Sequence, residues 1–446
     1  MGIEGLNPFL KKESPDNYVE IPYSYFNGKR IIIDSDNVFR RFMSTAHRDV
    51  VNSTDLAHCE PDRSKTVKAW LERLTGFVTE MLKAGITPIF VYDGDHPDEK
   101  GPTQHKRRER RNTIIARYQE LKDKIYAKDE LSKTAQDTTE LRKLLVQLSS
   151  VSRDEMKTAI DILSAVGIPC IRAMGEGEEL CAMLCREGKV AACFSQDTDL
   201  LAYGTPMSIT EYGKYQYNIK SRRSEPHFVV TIYKGILNNL GFDYNTFRDF
   251  CIMCGCDYNS RIYRVGPATA FKLLTQCRNI ENLPEKYTSK AEVLNVDFCR
   301  RMFSYRPSHE VASGHVILNI DRDVLMHARD LLEQYDLGEW LINLVGLYKT
   351  LPDPHQGPYI MSSVEPVVSL NIVGPGALED HGLNEVIDEL EDGPTEADMI
   401  DDFQNGLPQG FQQEREQEGP VQPVQPGQPG QLKQSDHVNI EIINIC

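Results

Sequence analysis

The chain has no excess of positive charge: 50 Lys+Arg stand against 66 Asp+Glu, a formal net charge of −16. Taken whole, that balance argues against a nucleic-acid binder, which presents a basic footprint. No apolar run approaches the roughly 18 residues of a membrane span, so no membrane partner is expected. Met1–Leu6 lacks the apolar core of a secretion signal, and Leu6 stands where an acylation motif needs Ser or Thr. The 11 cysteines are odd in number and follow no framework, which suits a reducing intracellular compartment. What remains is a chain of 446 residues, enough for two or three domains and a large core.

The deficit of positive charge is local. Residues 361–446 hold 17 acidic residues and two basic ones, Arg415 and Lys433, leaving 49 acids and 48 bases in the first 360. Pro420, Pro423, Pro426 and Pro429 recur at every third residue, a polyproline II spacing that builds no core. Residues 358–446 therefore read as a mostly disordered acidic tail of unknown partner. Its apolar end, Val438–Ile445, reads as a frayed terminus before a docking peptide. The part expected to fold is nearly neutral, so a basic face remains open to it.

Three short apolar runs lead into acids. Arg30-Ile31-Ile32-Ile33 meets Asp34, Pro88-Ile89-Phe90-Val91-Tyr92 meets Asp93, and Val190–Phe194 is followed by Asp197 and Asp199. Such runs read as buried strands of a parallel sheet. Val67, Trp70, Leu71, Leu74, Val78 and Leu82 mark a helical face between them. Ser152-Arg153-Asp154-Glu155 is a capping box that opens another helix, with Met156, Ile160 and Leu163 inward. The alternation predicts an α/β domain with a mostly parallel central sheet flanked by helices. Ligands of such sheets lie outside the carboxyl ends of the strands. One strand-end Asp is usually a helix cap, but capping is a poor account of three. Clustered carboxylates raise one another's pKa unless a cation compensates, and hard oxygen donors suit Mg²⁺ or Mn²⁺.

Further motifs follow in order. Met1-Gly2-Ile3, Ile33-Asp34, Tyr92-Asp93-Gly94, Glu176-x-Glu178, Asp197-x-Asp199, Gly255-Cys256-Asp257-Tyr258 and Val265-Gly266-Pro267 occur in this order, within a resemblance that covers about residues 1–350. Each is weak alone; the ordered set resembles the flap endonuclease superfamily, XPG-like structure-specific 5′ nucleases with a PIN-like fold. The resemblance implies that Asp34, Asp93, Glu176 and Glu178 form a tighter metal site, and that Asp197, Asp199 and Asp257 hold a second metal. Two Mg²⁺ ions, replaceable by Mn²⁺, would then activate water and stabilise both oxygens of a phosphodiester hydrolysis. Lys100 and Arg107 match the family's phosphate-contacting Lys and Arg, and Gly2 is implied to lie near the site. Asp36 lies outside the pattern and is expected to cap a helix or stand exposed.

Lys106, Arg107, Arg108, Arg110, Arg111 and Arg117 cluster on one segment. Such a run is usually a solvated helix face, but beside a phosphodiester site phosphate steering is the better reading. The segment resembles the family's helical arch, through which a single-stranded 5′ end threads. It lacks the long spacer of the excision-repair branch. Ile262–Leu274 resembles a helix-hairpin-helix that grips duplex backbone, often with K⁺, and Val265, Gly266 and Thr269 fall at its turn. Arg264 stands where that motif has Gly, and could touch phosphate instead. Arg40 stands where the family has a base-stacking aromatic, and guanidinium stacking would substitute; Phe39 reads as core. No sliding-clamp peptide is present, Met399–Phe403 being an incomplete match. Cys251, Cys254 and Cys256 read as core cysteines before zinc ligands.

The expected organisation is a nuclease domain over residues 1–99 and 151–357, interrupted by an arch at 100–150. A helix-hairpin-helix is expected near 258–280 and a tail at 358–446. The expected function is Mg²⁺-dependent cleavage of DNA 5′ flaps by a monomer, in the nucleus or another intracellular replication site. A 5′→3′ exonuclease or a gap or junction endonuclease of the same superfamily stays open. So does a catalytically silent flap-binding scaffold; a smaller RNA-cleaving PIN-type domain is weaker.

Overall fold

A computed structural model of the chain describes residues 2–94, 101–129, 133–218, 223–304, 319–322, 325 and 328–350. The chain divides into one unit over Met1–Ile372 and another over Val373–Cys446. The tail expected at 358–446, with its Val438–Ile445 segment, lies outside the described residues.

In chain order the elements are α1 (Leu6–Glu13), β1 (Tyr18–Pro22), β2 (Arg30–Asp34), α2 (Ser35–Ser53), α3 (Arg63–Lys83), β3 (Thr87–Tyr92), α4 (Gly101–Tyr126) and α5 (Ala135–Gln147). There follow α6 (Arg153–Ala165), β4 (Cys170–Arg172), α7 (Gly177–Arg186), β5 (Ala192–Phe194), α8 (Asp199–Ala202), β6 (Met207–Asn218) and β7 (Arg223–Ile232). The remaining helices are α9 (Tyr233–Leu240), α10 (Tyr244–Cys254), α11 (Pro267–Cys277), α12 (Glu285–Thr288), α13 (Val296–Met302), α14 (Arg329–Gln334) and α15 (Gly338–Tyr348).

The strands form one 7-stranded sheet in the order β1-β7-β6-β5-β2-β3-β4. β2 pairs in parallel with β3 and β5, β3 with β4, and β5 with β6. β7 runs antiparallel to β6 and β1. The mostly parallel sheet is thus as expected. The β6–β7 hairpin and edge strand β1 were not among the expected strands: in β6 Tyr, Lys and Gln alternate without an apolar run, and the short runs of β1 and β7 end in no acid. Chain order moves from β2 through β3 to β4 on one side, and from β5 through β6 to β7 on the other. The reversal between β2 and β5 opens a crevice at their carboxyl ends.

Side-chain alternation divides the core. Ile31 and Ile33 of β2 enter a cluster with Phe39, Trp70, Phe77 and Leu163, whereas Ile32 joins Leu180, Ile236, Phe250 and Leu274 on the opposite face. Trp70 is fully buried and its indole N–H donates to the Phe39 carbonyl at 3.0 Å. The predicted faces of α3 and α6 are therefore those that bury. The α6 capping box is present, Ser152 accepting from the Glu155 amide while the Glu155 carboxylate accepts from the Ser152 amide. A small separate cluster of Val51, Leu56, Tyr118, Ile125, Leu141, Leu144 and Leu145 joins α4 and α5 to the end of α2. Among the described residues no helix is long and apolar enough to cross a membrane.

Candidate functional site

β2 ends in Asp34, which is also the N-cap of α2: one carboxylate oxygen accepts from the Asn37 amide at 3.3 Å. The other accepts from the Ser195 hydroxyl at 2.8 Å, across the crevice after β5. That hydroxyl in turn accepts from the Asp197 amide at 3.1 Å. Ser195 therefore ties Asp34 to Asp197. Asp34 is 3% exposed; burial, with the nearby Asp93 and Asp197 charges, pushes it up to about 7 against the two hydrogen bonds. Asp36 does not cap α2; it is ion-paired with Arg40 at 2.8 Å.

The other strand ends converge on the same place. Asp93, just past β3, accepts from the Gly177 amide at 2.8 Å, at the positive end of α7. Glu176 is the N-cap of α7 and is buried; Glu178 lies in its first turn. Asp197 accepts from the Asp199 amide at 3.1 Å, and Asp199 opens α8. Glu178, Asp197 and Asp199 each offer an oxygen within 4.8 Å of the others. All donors are carboxylates, the set that suits a hard divalent cation. Burial lifts the Tyr258 phenol too, and the charges of Glu176, Asp199 and Glu178 add to it. The Asp257–Tyr258 loop is thus within reach of their charges.

Asp257 follows α10 and is held from α4. Arg107 donates to its carboxylate at 2.7 Å and the Thr103 hydroxyl to its carbonyl at 2.9 Å. The sequence carried no signal for Thr103 or Ser195, because neither belongs to a charged motif. Lys100 lies outside the described residues. Lys106, Arg108 and Arg110 are exposed on α4. Arg111 is engaged in the fold, its guanidinium donating to the Leu148 carbonyl at 2.9 Å and the Ser150 hydroxyl at 3.2 Å. Gly2 is wedged against the site. A Cβ there would lie 2.0 Å from an Asp197 carboxylate oxygen, and its φ is +88°. The next amide, of Ile3, donates to the Thr198 hydroxyl at 2.8 Å.

At the connection between α10 and α11, Arg264 has φ 62°. The left-handed demand that Gly normally meets is thus retained and met by Arg at a steric cost. Its guanidinium lies 5.4 Å from the centroid of the exposed Tyr263 ring. Val265 is buried and its amide donates to the Ile262 carbonyl at 2.9 Å, so that amide is spent within the turn. Gly266 is the N-cap of α11, and Thr269 lies half-buried in its first turn. Phe39, Cys251, Cys254 and Cys256 are buried, as their core reading required.

Two family models match the chain, the XPG N-terminal domain over residues 1–114 and the XPG I-region over residues 167–257. Flap endonuclease 1 of Cryptosporidium muris is 29% identical over 348 residues, 77% of this chain and 68% of that protein. Flap endonuclease 1-1 of Paramecium tetraurelia is 30% identical over 295 residues, 64% of this chain and 67% of the relative. Of two other relatives, flap endonuclease 1 of Cryptosporidium parvum and of Theileria parva, the chain spans 56% and 52% of the length. The solved flap endonuclease-1 of Methanococcus jannaschii overlays 75% of this chain and 98% of its own at a TM-score of 0.49, with 21% identity.

Proposed function

This chain belongs to the flap endonuclease superfamily of XPG-like nucleases, and from that premise we propose that it hydrolyses DNA at 5′ flaps, near the junction of single strand and duplex. The observation that carries the reading is the group Glu178, Asp197 and Asp199, with ligand oxygens within 4.8 Å, at the end of the sheet that also delivers buried Asp34.

Glu178, Asp197, Asp199 and Asp34, with Asp93, Glu176 and Asp257, would hold two Mg²⁺ ions, for which Mn²⁺ would substitute. Bound divalent cations lower the pKa of water and stabilise charge on attacking and leaving oxygens. The chain's own work is placement. The Ser195 bridge and the Gly177 amide fix Asp34 and Asp93 before substrate arrives. Arg107 is paired with Asp257 and would exchange that carboxylate for a substrate phosphate, neutralising a non-bridging oxygen. Lys100 would act on the phosphate in the same way. Lys106, Arg108 and Arg110 would steer the single strand along α4, while Arg264, Gly266 and Thr269 would meet duplex backbone, with K⁺ as a further ligand of that turn. Arg40, released from Asp36, would stack at the junction.

The same reading makes the protein a monomer working where DNA is replicated or repaired, the nucleus being one such place. Residues 1–99 and 151–357 would form the nuclease domain, and 100–150 the arch.

End-labelled 5′-flap, nicked and bubble DNAs, incubated with Mg²⁺ or with EDTA, test the proposal. One short Mg²⁺-dependent product from the flap supports it. Stepwise release of mononucleotides makes the protein an exonuclease of the same superfamily. Tight flap binding with no product in Mg²⁺ or Mn²⁺ makes it a scaffold and overturns the reading.

A further inference from the structure

α10 ends at Gly255, whose φ of 93° turns the chain out of the helix. The next four residues carry Asp257 and Tyr258 to the carboxylate site. Neither arrives there by belonging to a strand or a helix. A loop that delivers a charged ligand needs its own framework, because exposed loop backbone is otherwise free to move.

Asn259 supplies that framework with one side-chain amide. Its oxygen accepts from the Cys256 amide at 2.8 Å, closing the turn across Asp257 and Tyr258. Its nitrogen donates to the Ile252 carbonyl at 2.8 Å, in the last turn of α10, which also accepts from the Gly255 amide at 3.2 Å. The same nitrogen donates to the Leu294 carbonyl at 2.9 Å, just before α13. An amide N–H must meet an acceptor and two carbonyls must meet a donor, so all three contacts demand one orientation of the amide. The backbone closure beneath it, from the Asn259 amide to the Cys256 carbonyl, is long at 3.5 Å. The side chain therefore holds the turn more firmly than the main chain does.

We propose that Asn259 is a positioning residue for the metal site, acting through Asp257: it locks the turn that aims the Asp257 carboxylate, the group that Arg107 holds from α4. This rests on the metal-dependent reading of the carboxylate cluster. Asn259 touches neither substrate nor cation in it. Its loss lets Asp257 wander, while Glu178, Asp197 and Asp199 stay in place on α7 and α8.

The test uses the full chain with Asn259→Ala, and Asn259→Asp as a second variant. The Asp variant keeps the acceptor for the Cys256 amide but sets a carboxylate oxygen against two carbonyls. Mn²⁺ binding is followed by electron paramagnetic resonance, cleavage by Mg²⁺ titration, flap affinity in EDTA by anisotropy, and folding by thermal melting. The expected result is a Mn²⁺ affinity weakened roughly ten-fold, as for other groups that orient a ligand. The Mg²⁺ needed for half-maximal cleavage should rise in step, with flap affinity in EDTA and melting temperature held. Asn295→Gly, which removes a 3.5 Å contact to the Tyr258 carbonyl and suits the φ of 45° at that position, should change none of these. Unchanged Mn²⁺ affinity in both Asn259 variants overturns the proposal. So does a melting collapse in both, which makes the residue a fold determinant. If the wild type binds Mn²⁺ yet cuts no DNA, the nuclease reading fails while the Mn²⁺ comparison still decides the role of Asn259.

Discussion

The carboxylate site and the α4–α5 region are neighbours that are stabilised in different ways. Asp34, Glu176 and Asp199 are buried and stand on strand ends or helix starts whose apolar residues fill the two main cores. α4 and α5 rest on the end of α2 through a cluster of seven buried side chains, and their outer contacts are surface ion pairs such as Arg117–Glu140. Exposed pairs of that kind contribute about 0–1 kcal/mol each. One region is held by the two main cores; the other rests on a single small one. Arg107 joins them, because the ion pair that pins the base of α4 uses Asp257 of the site itself. A phosphate that takes Arg107 would loosen α4 and free Asp257 together.

The largest expected effect lies on the side of the two main cores. Asp197→Asn should lower flap cleavage by on the order of 1,000-fold, measured in single turnover, while flap affinity in EDTA is kept. A full rate would remove Asp197 from the metal set. Gly2→Ala should cost on the order of 100-fold in the same assay, because its Cβ would fall 2.0 Å from an Asp197 oxygen and displace it. A wild-type rate would mean that the amino-terminal segment gives way and does not buttress the site.

On the side of the small core the effects are smaller and confined. Leu144→Ala opens the small cluster and should cost about 2 kcal/mol, read as lost hydrogen-exchange protection in α4 and α5 alone. Equal loss of protection in β2 and β3 would erase the contrast between the regions. The smallest effect is acid fraying of α5. Lys128 and the Thr134 cap hold the Asp137 carboxylate down at about 2, from an ordinary value of 3.8. A depressed carboxylate stabilises the fold above its ordinary value and loses that contribution as pH falls through the folded value. Amide protection factors at the start of α5, taken against the intrinsic exchange rate at each pH, should therefore fall between about pH 4 and pH 2. No change over that range would make the cap irrelevant.

The sequence announced the strand-end acids because a buried parallel strand needs a short apolar run and the acid sits directly after it, as at Ile33-Asp34 and Tyr92-Asp93. It announced α6 through a capping box, which is local chemistry. It did not announce Ser195 or Asn259, whose roles exist only once distant segments meet: Ser195 lies 161 residues from Asp34, and Asn259 lies 35 from Leu294. Arg111 read as one more phosphate-steering cation, because charge pattern cannot tell a solvent-facing guanidinium from one that holds three carbonyl and hydroxyl oxygens. Likewise Arg264 read as a departure from the motif's Gly, whereas its backbone holds the left-handed conformation at φ 62°.

By itself, then, the sequence determined which acids stand at strand ends, which faces are apolar and which helix carries the basic run. Each follows from residue type at a fixed local period. Tertiary structure alone decided that β2 and β5 are neighbours, that Ser195 bridges their acids, and that Arg107 pairs with Asp257 across 150 residues of chain. Those are facts of distance through space, and hydrogen bonds and charge pairs depend on that distance rather than on separation along the chain.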